Sequence, residues 1–424
     1  MGLLAAIGIG VGSMLGTGVF SDMWVHVLGA GQWYLLALAI AALVATANGL
    51  STAQLAARYH EAGGAYAYGR TELGPFVGHV AGAGFVVGKT VSVAAAAAVL
   101  GAYVLPGHAP TVASGAIVLA WALNARGITR TAAGATVSAL VVTAALVTIA
   151  VGALAVDDLE SDPVPLLDPG HGPAMAVLVG ASAALFAFAG YARIATLSED
   201  VRDPARTIPR AVIASLGIVL VVYGLVAVAL ENTVGADRLI PAQSDDDTVQ
   251  THGQAAPIEQ LAAAAHLPTW LATAAAVVAV FGAMLAVMAG AGRTAMAMAR
   301  QRDLPASLAH QGASGAPWRA EAVVAVIAIA LVWVPSVSLI LLSVAGVLVY
   351  YAVANLAALS QRRAGRTATL RVPVAVNVFG VVGSLTLGTV AAVSAAEGWV
   401  STAIVVALVL GWPVVAHLRR KRAG

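Results

Sequence analysis

The sequence predicts an all-α polytopic membrane protein with twelve transmembrane helices, and three observations lead there. Of its 424 residues, 60% are hydrophobic and 10% charged, against about 25% charged in soluble domains. The apolar residues gather into twelve stretches, each near the roughly 20 residues that cross a bilayer as a helix. Lys and Arg collect in every second connection between those stretches, as the positive-inside rule requires.

The stretches begin near Leu3, Trp33, Pro75, Thr111, Ala132, Ala174, Ile208, Leu267, Glu321, Val337, Pro373 and Thr402. The fourth and ninth are short. Arg58 and Arg70 follow span 2, Arg126 and Arg130 span 4, and Arg202, Arg206 and Arg210 span 6. Arg300, Arg302 and Arg319 follow span 8, and Arg362, Arg363, Arg366 and Arg371 span 10. Arg419, Arg420, Lys421 and Arg422 close the chain. The opposite connections hold Arg238 against eleven acids, including Asp157, Glu160, Asp168, Asp245 and Glu259. Dropping one span would scramble this alternation, so both termini are expected on the cytoplasmic side of the cell membrane. Trp33, Trp121, Trp270, Trp318, Trp333 and Trp399 fall near span ends, where amphipathic rings prefer the interface.

Other classes are excluded by composition. With no cysteine there is no disulfide, thiolate metal site or cysteine nucleophile. The net charge of +2 marks no nucleic-acid surface, and the nine histidines show no metal-ligand spacing. No cofactor is implied. The apolar run from Leu3 is too long for a signal-peptide core and continues into the protein. It lacks a polar tail ahead of it, which points to a start upstream.

Two spans look broken. Span 1 carries Gly8, Gly10, Gly12, Ser13, Met14, Gly16, Thr17 and Gly18, and each interior Gly weakens a helix by about 1 kcal/mol against Ala. The plain alternative is a small-residue packing face. It suits Gly8, Gly12 and Gly16 at spacing four, but not the glycines flanking Thr17. Span 6 shows the second weakness at Phe186, Ala189, Gly190 and Tyr191. Aromatics at such spacing usually only pack, but the position is telling. Spans 1 and 6 correspond in two five-span halves, as do the short spans 4 and 9, and interruptions at corresponding positions mark a transporter's binding site. An odd number of spans per half makes the halves inverted. Residues 1–156 form the first repeat, 174–359 the second, and 373–418 the last two spans.

A break at mid-membrane survives only where it lines a cavity. Freed N–H groups and a positive helix end suit a carboxylate, and freed carbonyls suit an ammonium group. A zwitterionic amino acid matches both.

Three stretches carry a specific resemblance. Gly16-Thr17-Gly18-Val19-Phe20 is similar to a G-S/T-G-I/V-F motif, and Ala62-Gly63-Gly64-Ala65-Tyr66-Ala67-Tyr68 to A-G-G-x-Y-x-Y. The run from Phe186 through Gly190, Glu199, Asp203, Pro204, Arg206, Ile208, Pro209 and Arg210 is the third. A looser match spans Arg293 to Pro305. Together they resemble the amino acid–polyamine–organocation superfamily, whose members share the inverted-repeat fold of the bacterial leucine transporter. The resemblance implies that Ser13, Met14, Thr17 and Gly18 line the first break, with Thr17 at the substrate carboxylate. Phe186, Ala189 and Gly190 would line the second, Phe186 closing over the substrate from outside. Ala192 stands where several relatives have Glu, and His60 where Pro is common.

The inner half of span 8, through Gly282, Met284, Ala286, Met288, Ala289 and Gly290, has no hydroxyl before Thr294. That argues against the sodium site of sodium-coupled relatives. Lys89 lies 14 residues beyond Pro75, roughly 21 Å along span 3 and too deep to snorkel. Intramembrane ionisable residues default to functional hypotheses. Lys89 either titrates during transport as the proton-coupling group or donates to broken-helix carbonyls without changing charge. Asp22 is a lesser coupling candidate beside its plain reading as an interfacial acid. Arg202, Asp203, Arg206 and Arg210 suit topology determinants and cytoplasmic gate partners.

No clustered carboxylates, His pair or nucleophile–base set lies within the spans, so an enzyme is not expected. A channel has no need of paired breaks. The expected activity is proton-driven amino acid uptake, with exchange or cationic and polyamine substrates as alternatives. Monomer and homodimer both stay open.

Overall fold

The computed structural model describes residues 2–21, 23–59, 63–127, 132–156, 172–191, 194, 201–234, 256–334, 338–363, 370–395, 407–411 and 413–414. These residues are helical or in turns, with no strand among them.

The first span is divided into α1 (Leu3–Met14), a 3₁₀ turn (Thr17–Phe20) and α2 (Met23–Leu28). Then come α3 (Tyr34–Ala56), the short α4 (Ala65–Leu73), α5 (Pro75–Val104), α6 (Ala109–Ala125) and α7 (Ala132–Leu154). α8 (Pro173–Phe188) runs into a second 3₁₀ turn, Ala189–Tyr191. The remaining helices are α9 (Pro204–Thr233), α10 (Pro257–Ala264), α11 (Trp270–Arg300), α12 (Trp318–Val332), α13 (Leu339–Arg363) and α14 (Val374–Ser394).

Prolines open α5, α8, α9 and α10, where a missing N–H costs nothing and φ is already helical. Gly74, at φ +100°, both ends α4 and starts α5, a conformation that favours glycine.

Nine segments among the described residues are long and apolar enough to cross a membrane. The two short spans read from the sequence are α6, with 17 residues, and α12, with 15. The last predicted span, from Thr402, lies almost wholly outside the described residues; Asp22, Ala192, His60, Glu199 and the acids of the outer connections other than Glu231 and Glu259 lie outside them too. Large apolar side chains such as Leu4, Leu43, Leu140, Val221 and Val326 point outward, as lipid-facing positions should. Trp33, Trp270 and Trp333 are exposed at helix ends.

α5 runs through the middle of the bundle, packed on α13, α11, α6, α12 and α4. α1 lies against α7 and α9, while α8 lies against α3 and α13. Glycines allow the closest approach. A Cβ on Gly88 would stand 2.8 Å from the Ser343 carbonyl, and one on Gly346 would stand 2.9 Å from the Gly84 carbonyl. Farther along, α3, α13 and α14 are joined by buried amides and hydroxyls. Asn355 accepts from Ser51 at 2.5 Å and donates to the Asn48 side chain at 2.7 Å, and Asn377 donates to Ser51 at 2.7 Å.

Candidate functional site

α1 ends at Met14 because the chain leaves helical geometry at Leu15 (ψ 38°) and Gly16 (ψ −123°). The 3₁₀ turn that follows begins with Thr17 and Gly18, whose N–H groups have no partner within their own segment. On the other side, α8 tightens into its 3₁₀ turn at Ala189.

The two interruptions are packed backbone to backbone. A Cβ on Gly18 would collide with Ala187, and one on Gly190 with the Ser13 carbonyl and the Met14 nitrogen. Glycine is therefore required at both positions for close approach rather than for a special φ. The packing alternative holds for other glycines of span 1. A Cβ on Gly8 would press on Thr136 of α7, one on Gly10 on Ser215 of α9, and one on Gly16 on Ala283 of α11. The small residues serve both purposes.

The freed carbonyls are met by side chains. Tyr223 of α9 donates to the Met14 carbonyl at 2.7 Å, with the Ala187 carbonyl at 3.3 Å. Tyr351 of α13 lies 3.4 Å from the Ala189 carbonyl. Ser21 donates to Gly18 at 2.7 Å and the Trp24 indole to Val19 at 2.8 Å. The Gly18 carbonyl also accepts from the Ser21 N–H at 3.4 Å and is fully used, whereas the Met14 carbonyl at the end of α1 keeps a second lone pair for a ligand.

Between the interruptions lies a small cavity of about 60 Å³. Ser13, Met14, Thr17 and Gly18 line it from the first interruption, and Phe186, Ala189 and Gly190 from the second. Lys89 reaches it from α5. The seven substrate candidates and Lys89 thus face one space. Sequence reasoning missed Ser92, Ser343 and Tyr351 on the same wall. Ser92 was legible, since it stands one turn from Lys89 on the same face. Ser343 and Tyr351 were not, because their helix offers several equivalent faces.

Lys89 is half-buried, with its Nζ 5.8 Å from the Phe85 ring centre. Among the described residues it forms no ion pair. Beside it, the Ser92 and Ser343 hydroxyls are 2.6 Å apart. Ala283 and Val287 of α11 complete an apolar side.

Across residues 1–414 the chain matches the family model described as amino acid permease. It belongs to the amino acid permease family, within the amino acid–polyamine–organocation superfamily. Its relatives include proteins named uncharacterized transporters in Mycobacterium bovis and in two strains of Mycobacterium tuberculosis. Each is 43% identical over 365 residues, covering 85% of this chain and 80% of the relative. The permease is a multi-pass membrane transporter.

The four gate candidates of the permease lie away from the cavity. Arg202, Asp203, Arg206 and Arg210 are exposed, and Arg206 Nε is 3.8 Å from Asp203 Oδ2. Asp203 caps α9 at φ +46°. A different cluster is buried at the end of the bundle that the charge pattern assigns to the cytoplasm. Asp303, just beyond α11, accepts from Arg70 at 2.8 Å and from the Tyr66 hydroxyl at 2.7 Å, with His79 Nδ1 3.6 Å away. Tyr66 and Asp303 belong to two of the family-like stretches, which the permease fold brings into contact. The glycines ahead of Tyr66 are used there too. Gly63 and Gly64 have φ of +122° and +54°, and the Ala65 N–H donates to the Tyr350 hydroxyl at 2.9 Å.

Proposed function

We propose that this permease is a secondary active transporter that carries amino acids into the cell by proton-coupled alternating access. The observation that carries this reading is the single cavity shared by both interruptions and Lys89. Unpaired N–H groups at Thr17 and Gly18 suit an α-carboxylate, since helix N-termini attract anions. The second lone pair of the Met14 carbonyl suits the α-ammonium group. Phe186 is the aromatic cover, and Lys89 is the group that takes up and releases the proton.

The pairing of helices supports a 5+5 inverted repeat over residues 1–156 and 174–359, with 373–418 appended. α1 packs on α9 and α8 on α3, α5 on α13 and α11 on α7, α5 on α12 and α11 on α6. Each contact has its counterpart when the halves are exchanged. In this reading Arg202, Asp203, Arg206 and Arg210 find gate partners in another state of the cycle, and both termini are cytoplasmic.

The reading is tested by counterflow of a radiolabelled amino acid panel in proteoliposomes, comparing wild type with Gly190→Ala. Saturable counterflow that the substitution removes is expected. Equal counterflow in both proteins would place the substrate elsewhere.

A further inference from the structure

The cavity's charge is unbalanced. Among the described residues that line it, Lys89 is the one charged side chain, and no carboxylate faces it from α1, α5, α8, α11 or α13. Tyr351 is the other titratable lining group, and its hydroxyl is directed at the Ala189 carbonyl. A charge held away from water is costly unless it is paired, and the Phe85 ring offers only a weak partner at 5.8 Å.

A zwitterion does not correct this. Its carboxylate is served by the N–H groups of the first interruption and its ammonium by the Met14 carbonyl, which leaves Lys89 uncompensated. A ligand with one more negative charge brings the site to neutrality. The neighbouring groups suit the same ligand, because Ser92 and Ser343 present two hydroxyls 2.6 Å apart on the wall that carries Lys89. The two hydroxyls bond each other, and Ser92 also lies 3.1 Å from the Gly88 carbonyl, so together they can turn one proton to a ligand; with the ammonium it forms a donor set for a carboxylate. Their place is held by the close packing of Gly88 on the backbone at Ser343.

We propose that the permease selects amino acids with a second carboxylate, which Lys89, Ser92 and Ser343 hold at the α5–α13 wall of the cavity. This deepens the amino acid reading of the cavity and rests on it. The loaded cavity then carries no net charge when Lys89 is protonated. Cationic substrates, polyamines included, are disfavoured by like-charge repulsion.

The experiment measures counterflow of radiolabelled glutamate, aspartate, leucine and lysine in proteoliposomes with wild type, Lys89→Gln, Lys89→Arg and Ser343→Ala. The readout is the ratio of acidic to neutral substrate flux. Wild type is expected to favour glutamate or aspartate over leucine at least tenfold. Lys89→Gln should lower that ratio at least tenfold, Ser343→Ala about threefold, and Lys89→Arg should keep most of it. In detergent, glutamate should raise the unfolding temperature of wild type but not of Lys89→Gln, a readout independent of flux. A wild type that moves leucine or lysine in preference to acidic amino acids overturns the proposal and leaves amino acid transport standing. So does a ratio that Lys89→Gln leaves unchanged. If none of the four substrates moves or shifts the unfolding temperature, the amino acid reading falls with it.

Discussion

The Tyr223 hydroxyl donates to the Met14 carbonyl at 2.7 Å, so a side chain of α9 ties down the end of α1. The Ala187 carbonyl, 3.3 Å away, shares the same hydroxyl. Both interruptions are thereby held by one buried group. A broken membrane helix needs such a partner, because lipid offers none.

Tyr223→Phe removes that donor and leaves two buried carbonyls with one partner fewer. A loss of about 1–3 kcal/mol is expected, read as a lower unfolding temperature in detergent. Transport should fall further than stability, since the hydroxyl holds the cavity's backbone walls.

Gly190→Ala is expected to reduce transport at least tenfold, because its Cβ would collide with the Ser13 carbonyl. Gly217→Ala is the control. Nothing lies within 4 Å of a Cβ at that exposed position of α9, and replacing a helix-interior Gly gains up to about 1 kcal/mol. Measured side by side, the first variant should lose counterflow and the second should not.

Asp303→Ala leaves Arg70 and the Tyr66 hydroxyl without their buried acceptor. About 3 kcal/mol of destabilisation is expected, the lower end for breaking a buried pair, because the Arg70 side chain is 20% exposed. A double-mutant cycle with Arg70→Ala, followed by denaturant titration, should return a coupling of at least about 1 kcal/mol.

Asn355→Leu takes the acceptor from the buried Ser51 hydroxyl and one of two donors from the Asn48 side-chain oxygen, which keeps Ser384. A buried hydroxyl without its acceptor should cost about 1–3 kcal/mol. Thermal unfolding of the purified permease checks this, and a change below about 0.5 kcal/mol would mean that water replaces the amide.

Much of the helical layout was legible because the bilayer is a simple solvent. Apolar stretches and Arg placement gave span starts within a few residues of the observed helices, as at Pro75, Ala132 and Pro373. α4 and α10 were not expected, since short helices at the ends of the bundle leave no apolar stretch to read. The interruption at Gly16–Gly18 was readable from glycine density. Its partners were not, because Tyr223 and Tyr351 look like ordinary membrane-helix aromatics until the fold places them. The Tyr66–Asp303 contact, 237 residues apart in sequence, likewise exists only in three dimensions. Lys89 stood out in the sequence because a deep charge is rare, and Ser343 did not because serines are common in membrane helices.

The most direct test of the central claim is uptake of radiolabelled amino acids into proteoliposomes, with and without an inward proton gradient, for wild type and Lys89→Ala. Gradient-stimulated uptake in wild type is expected, lost in Lys89→Ala while counterflow of neutral amino acids stays measurable. Uptake that ignores the gradient and requires amino acid inside the vesicle would contradict proton coupling and make the permease an exchanger.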